Sequence, residues 1–352
     1  MKKYITLILV LLLVMSSFLV GCGVDKETKD NKQAGQPENQ TTEKTLKVAM
    51  VTDTGGVNDQ SFNQSAWEGL QRAEKELGIK ASYLESKQDA DYKPNLETLL
   101  DAGNDLIWGI GFKMEKVILE EAQNNPDQKY AIIDAAYDNP PNNLVGVMFK
   151  AEESSFLVGY IAGKMTKTGK VGFVGGMRGP IIDAFEYGFK AGVKYANPKV
   201  EVITQYAESF TDAAKGKSIA TNMYQQGADI VFHAAGGVGD GVIEAAKEQG
   251  KYAIGVDRDQ NYLAPDNVIT SAMKRVDNGI YNVVKQLKEG KFPGGTNITL
   301  GLKDGAVDIA PTSNKHVPAN ILKEVDGIKQ KIINREIVVP NNADTFAKFE
   351  VK

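Results

Sequence analysis

The chain has 352 residues, 42% of them hydrophobic, and 41 Lys+Arg stand against 45 Asp+Glu for a formal net charge of −4. That is ordinary globular composition, long enough for about two domains, and it lacks the basic excess that nucleic acid or an anionic membrane surface would call for. A single cysteine, Cys22, excludes an internal disulfide, and with only His233 and His316 beside it no metal cluster is expected.

In chain order, Lys2 and Lys3 precede an apolar run from Ile5 to Met15, and small residues follow at Ser16, Ser17 and Gly21. This is the plan of a secretory signal peptide over 1–21, shorter than a comfortable membrane span. It ends in Leu19-Val20-Gly21-Cys22, which looks like a bacterial lipobox, so Cys22 is expected to carry lipid. Residues 22–45 are then a disordered polar tether, with nine charges and almost no apolar residues between Gly23 and Thr45.

From Leu46 onward, short apolar runs alternate with amphipathic stretches, the pattern of a parallel-sheet α/β protein. Strands are expected at 47–52, 106–110, 131–133, 144–149, 171–174, 230–233 and 253–256. Ala66, Leu70, Ala73 and Leu77 fall on one face of a helix. The series VAMVTD, DLIWGIG, AIID recurs as VGFVGG, DIVFHAAGG, AIGVD, and 81 residues separate Asp53 from Asp134 as they separate Gly176 from Asp257. Two similar lobes follow. Trp67, Trp108 and a hydrogen-bonded His233 are assigned to the core.

Ligands of open parallel sheets sit beyond the carboxyl ends of the strands. Those ends carry Asp53, Asp134 and Asp257, with glycine-rich turns at 109–112, 175–176 and 234–237. Ser61-Phe62-Asn63-Gln64 reads as a capping box with Ser61 as N-cap, which puts Phe62 and Asn63 on a first helical turn at the same rim. Ser209-Phe210-Thr211-Asp212 reads as the same device, placing Phe210 at a helix start. Two phenylalanines at facing rims could clamp a flat ring; the alternative is that each merely staples its helix to the core.

Catalytic patterns are missing. Gly236 to Gly241 departs from a dinucleotide loop at Val242, and Gly216-Lys217-Ser218 lacks the upstream glycine of a phosphate loop, position 211 being Thr. Neither G-x-S-x-G nor H-E-x-x-H occurs, so an enzyme is not expected, nor a cofactor.

The blocks TDTGGVNDQSFNQSAWEGL (52–70), VGFVGG (171–176), FEYGFKAGV (185–193), SFTDAAKGKSIA (209–220) and GVDRDQ (255–260) resemble the basic membrane protein family of lipoproteins, of the purine nucleoside receptor type. The likeness runs from the lipobox to the last lobe. It implies a type I periplasmic-binding-protein fold, two lobes joined by three hinge crossovers, with a first lobe of 46–149 plus about 273–304 and a second of 150–272 plus about 305–352. It further implies a monomeric receptor anchored on the extracytoplasmic face of the cell membrane, binding guanosine, inosine or adenosine for an ABC transporter permease. By the same resemblance Phe62 and Phe210 sandwich the purine, Asn63 and Asp134 bond the base edge, and Asp53, Gly236, Asp257 and Lys274 line the ribose side; the sequence also places Arg258 next to Asp257. Asn58 stands where the family commonly has Asp, and reads as a turn residue. The chemistry is consistent: a carboxylate accepts ring N–H and amine protons, and Asp257 with Lys274 suits vicinal hydroxyls. Sugar sites also use aromatic faces and carboxylates, so a same-fold receptor for a sugar or other polar signal stands as the alternative, with a signalling or adhesive lipoprotein behind it.

Overall fold

The computed structural model describes residues 44–351. The expected signal peptide, Cys22 and nearly all of the tether lie outside the described residues.

Short runs of Val, Ile, Ala and Phe, covered on both faces, make parallel strands. In chain order these are β1 (Lys47–Val51), β2 (Lys80–Leu84), β3 (Leu106–Ile110), β4 (Lys129–Ile133), β5 (Leu144–Phe149), β6 (Lys170–Gly175), β7 (Glu201–Tyr206), β8 (Ile230–Ala234), β9 (Tyr252–Asp257), β10 (Val268–Lys274), β11 (Thr296–Leu300) and β12 (Val307–Ile309). They form two six-stranded sheets, ordered β11-β5-β4-β3-β1-β2 and β12-β10-β9-β8-β6-β7. Strand for strand the two orders are the same, so the sequence repeat is a repeated topology; only β12, antiparallel to β10 where β11 runs parallel to β5, breaks it. The fold is therefore α/β with two parallel-dominated sheets.

The helices are α1 (Phe62–Leu77), α2 (Tyr92–Asp101), α3 (Glu115–Asn124), α4 (Ala151–Met165), α5 (Pro180–Ala196), α6 (Ala213–Gln225), α7 (Val238–Gln249), α8 (Val276–Lys288), α9 (Ala319–Ile333) and α10 (Ala343–Ala347). Ala66, Leu70 and Ala73 of α1 are fully buried and Leu77 partly so, as the helical spacing requires. Each lobe pins one helix to its neighbour through a glycine. A methyl on Gly69 of α1 would meet the Asp277 carbonyl of α8 at 2.6 Å, and one on Gly188 of α5 would meet the Glu152 carbonyl of α4 at 2.4 Å. Both α4 and α8 begin just after the chain has left one sheet for the other lobe.

The chain passes between lobes at Lys150, Arg275 and Gly301. Lys150 N–H donates to the Leu300 carbonyl at 2.8 Å and Arg275 N–H to that of Ala306 at 2.8 Å, tying adjacent passages together. Met273 and Lys274, expected in the first lobe, are the last residues of β10 in the second sheet. Five strands were not anticipated. Four of them, β2, β7, β11 and β12, are sheet edges whose exposed faces need no apolar residues. The fifth, β10, is interior and buried, but Thr270, Ser271 and Lys274 interrupt its apolar run. Trp108 is buried as expected, whereas Trp67 is only half-buried, its ring edge-on to Tyr83 at 4.8 Å.

Candidate functional site

The carboxyl ends of the central strands of both sheets meet at one cavity, with about 610 Å³ of atom-free space partly continuous with solvent. All eight residues singled out from the sequence line it: Asp53, Phe62, Asn63 and Asp134 from the first lobe, Phe210, Gly236, Asp257 and Lys274 from the second.

The carboxylates arise from the repeat. Asp134 follows β4 and Asp257 ends β9, the corresponding strand, and both hold left-handed backbone, φ 67 and 62. Short polar side chains tolerate that conformation, and such strain concentrates at functional sites. Lys274, at the end of β10, is buried and donates to Asp134 Oδ2 at 2.5 Å. Its ammonium is 4.9 Å from the Phe62 ring centre, 5.4 Å from that of Phe149 and 5.8 Å from that of Phe185. The expected pairing of Lys274 with Asp257 is thus corrected: the hydrogen bond goes to Asp134, and Asp257 feels the lysine only through space. Burial drives the Asp257 carboxyl up to about 6, against the pull of the Lys274 charge and of a Ser61 hydrogen bond.

Asp53 follows β1. Its Oδ1 accepts from Gly55 N–H at 2.8 Å and from Asn63 Nδ2 at 2.7 Å, and burial again outweighs these bonds, raising its pKa to about 6. Asn63 also donates to Asp59 Oδ2 at 2.9 Å and accepts from Asp53 N–H at 3.3 Å. Its amide is therefore engaged by Asp53 and Asp59, and shares no hydrogen bond with Asp134, its expected companion at a base edge.

The first turn of α1 is capped by Asp59, a residue that the S-x-x-Q spacing does not point to. Its two carboxylate oxygens accept the N–H groups of Ser61 (3.0 Å), Asn63 (2.8 Å) and Gln64 (3.0 Å). Ser61 occupies the N-cap position but makes no side-chain cap, so the capping-box expectation is corrected. Asp59 is buried, which raises its pKa. Asn58 lies in the exposed turn expected for it.

Phe62 opens α1, but Phe210 does not open a helix. α6 starts at Ala213 with Asp212 as N-cap accepting from Lys215 N–H at 2.9 Å, while Ser209 Oγ accepts from the Thr211 and Asp212 N–H groups in the preceding turn. Phe210 lies against the end of β6, where a methyl on Gly176 would come within 2.2 Å of its ring, and beside Gly236, whose φ is 55. The ring of Phe112, from the first lobe, meets it edge-on at 6.3 Å.

Phe112, Lys113, Ile181, Ile182 and Phe185 also line the cavity and were not singled out. The repeat could have found one of them: seven residues before Gly69 stands Phe62, and seven before Gly188 stands Ile181. Arg258 is not among the lining residues; its guanidinium is committed to Glu68 Oε1 at 2.6 Å and Oε2 at 3.2 Å. His233 is fully buried with Nε2 3.0 Å from Gln260 Oε1, and burial lowers its pKa to about 4, so it stays neutral.

The sequence pattern of a family described as ABC transporter substrate-binding protein, PnrA-like, matches residues 46–343. Basic membrane protein A of Borreliella burgdorferi is 48% identical over 309 residues, covering 86% of this chain and 90% of that protein. The CD4+ T-cell-stimulating antigen of Listeria innocua is 42% identical over 362 aligned positions, covering 97% and 99%. Among solved structures, a solute-binding protein of an ABC transporter system from Aeropyrum pernix superposes with a TM-score of 0.79 at 31% identity, over 86% of this chain and 96% of that one.

Proposed function

The chain belongs to the PnrA-like family of ABC transporter substrate-binding proteins, and from that premise we propose that its ligand is a purine nucleoside, bound in the cavity between the lobes and handed to an importer's permease. The observation that carries this reading is the meeting of two phenyl rings, Phe62 and Phe210, with the buried Lys274–Asp134 pair and Asp257 in one cavity. Aromatic faces take a planar base, and the carboxylates accept its ring and amine protons or the ribose hydroxyls. Among the described residues, four carboxylates, those of Asp53, Asp59, Asp134 and Asp257, line the cavity with two cations, Lys113 and Lys274. A phosphate entering such a site would be repelled, the more so as closure removes water.

Nucleosides are therefore expected to bind and nucleotides to be refused. Calorimetry with guanosine, guanine and GMP tests this: guanosine should bind tightest, guanine more weakly for want of the sugar contacts, and GMP not measurably. Tighter binding of GMP, or of arabinose or glucose than of any nucleoside, would overturn the assignment.

For the segment outside the described residues we propose that Cys22 carries acyl chains and holds the protein to the extracytoplasmic face of the membrane, where two chains suffice for stable anchoring. Cys22→Ala should move the protein from the membrane fraction to the soluble one; retention in the membrane would refute the anchor.

A further inference from the structure

Ser61 sits where a helix cap belongs and does not cap. Asp59 accepts the N–H groups of Ser61, Asn63 and Gln64 where α1 begins, so the Ser61 hydroxyl is left free of the cap, and it is fully buried. It donates to Asp257 Oδ2, a carboxylate of the opposite lobe. Around this bond the same two segments touch three more times. Gln60, held at φ 55, turns its carbonyl to Gln260 Nε2 at 3.1 Å, its side-chain oxygen accepts from Tyr262 at 2.5 Å, and Glu68 takes the two-pronged hydrogen bond of Arg258. Each contact joins residues 60–68 of the first lobe to 257–262 of the second. Each is broken if the lobes separate.

We propose that Ser61 is a positioning residue for Asp257 that acts across the closed cleft, so that lobe closure itself completes the ligand-binding carboxylate. In the open protein Asp257 has no hydroxyl partner from the first lobe. On closure Ser61 takes Oδ2 and fixes the carboxylate plane, which leaves Oδ1 to face the ligand. The Gln60–Tyr262 and Glu68–Arg258 contacts set the register of the two rims. Ligand release then requires the Ser61 bond to break, and the residue governs dissociation rather than encounter. This coupling rests on the ligand reading above; the contact between lobes does not.

Two measurements on the full chain separate these claims. Ser61→Cys combined with Asp257→Cys, treated with an oxidant or a short bifunctional thiol reagent without any ligand, should cross-link the lobes, because a transient closure suffices for trapping; the single variants control for Cys22. Absence of a cross-link overturns the contact. In stopped-flow experiments with guanosine, Ser61→Ala should raise the dissociation rate about tenfold or more, the range for losing a hydrogen bond to a charged group, with the association rate unchanged. Ser61→Thr should restore slow release. If Ser61→Ala lowers the unfolding midpoint and leaves dissociation unchanged, Ser61 is only structural and the proposal fails. A cross-link in the double-cysteine variant, together with a wild type that binds no nucleoside, would refute the ligand class and leave the contact standing.

Discussion

The two lobes share a strand order and yet supply the cavity differently. Their carboxylates come from corresponding places, Asp134 after β4 and Asp257 at the end of β9, both in left-handed backbone. Their aromatic rings do not. Phe62 begins the helix after β1, whereas Phe210 lies in the turn after β7, and Ile181 occupies the place that the repeat assigns to Phe62. The backbone position that presents an acid at a strand end is thus retained in both lobes, while the walls of the cavity differ between them. Lys274 adds a further asymmetry, being a second-lobe lysine hydrogen-bonded to a first-lobe carboxylate.

The largest effect should come from breaking that inter-lobe pair. Lys274→Met leaves Asp134 buried without its cation, and removing one partner of a buried pair typically costs about 3–5 kcal/mol. Urea unfolding should show a loss of that order. Adding Asp134→Asn removes the stranded charge and should return most of the stability while nucleoside binding stays lost. If Lys274→Met alone unfolds at the wild-type midpoint, the pair contributes nothing to the fold.

Next in size is the clamp, where the two lobes can be set against each other. Phe62→Ala and Phe210→Ala should each weaken nucleoside binding by about 1–3 kcal/mol, the range for base–aromatic stacking, with small changes in melting temperature because both rings are half-buried. Gly176→Ala sharpens the comparison: its methyl must displace the Phe210 ring and should reproduce the Phe210→Ala loss without touching Phe62. Calorimetry on the three variants decides it. A Phe62→Ala protein that melts much earlier yet binds normally would show that ring to be a core staple.

How far the sequence displayed this architecture depended on which signals were local. Strands β1, β4 and β9 were legible because their runs are apolar and bounded by turns, and the strand-end aspartates followed from them. β10 was not legible, because the Thr270 hydroxyl is satisfied by Ser313 and that of Ser271 by the Gln260 N–H, partners distant in sequence. Ser61 is the sharpest case. Local spacing makes it a cap, yet Asp59 two residues earlier reaches the same N–H groups, and the serine answers to a carboxylate 196 residues away. Lys274 was placed in the site by resemblance, but its partner could be named only once both sheets were in position.

The smallest effect concerns the same acid in its titration. Asp257 is buried, and its carboxyl is pushed up to about 6, burial outweighing Lys274 and Ser61 while Asp59 and Asp134 push the same way. In the unfolded chain an aspartic acid titrates near 3.9. Between roughly pH 4 and 6, then, the folded protein holds a proton that the unfolded chain has released, so this group's contribution to stability is fully present below about pH 4 and is lost as pH rises through 6. Going from pH 7 to pH 5 should restore about 1 kcal/mol from this carboxyl alone. Asp257→Asn cannot titrate, so the other acids cancel in the difference between wild type and variant. Urea unfolding of both proteins at the two pH values should show the wild type gaining about 1 kcal/mol on the variant at pH 5. A difference that is flat, or that falls on acidification, would mean that the lysine and the serine hold Asp257 ionised, and that its burial in the closed cleft costs the fold nothing.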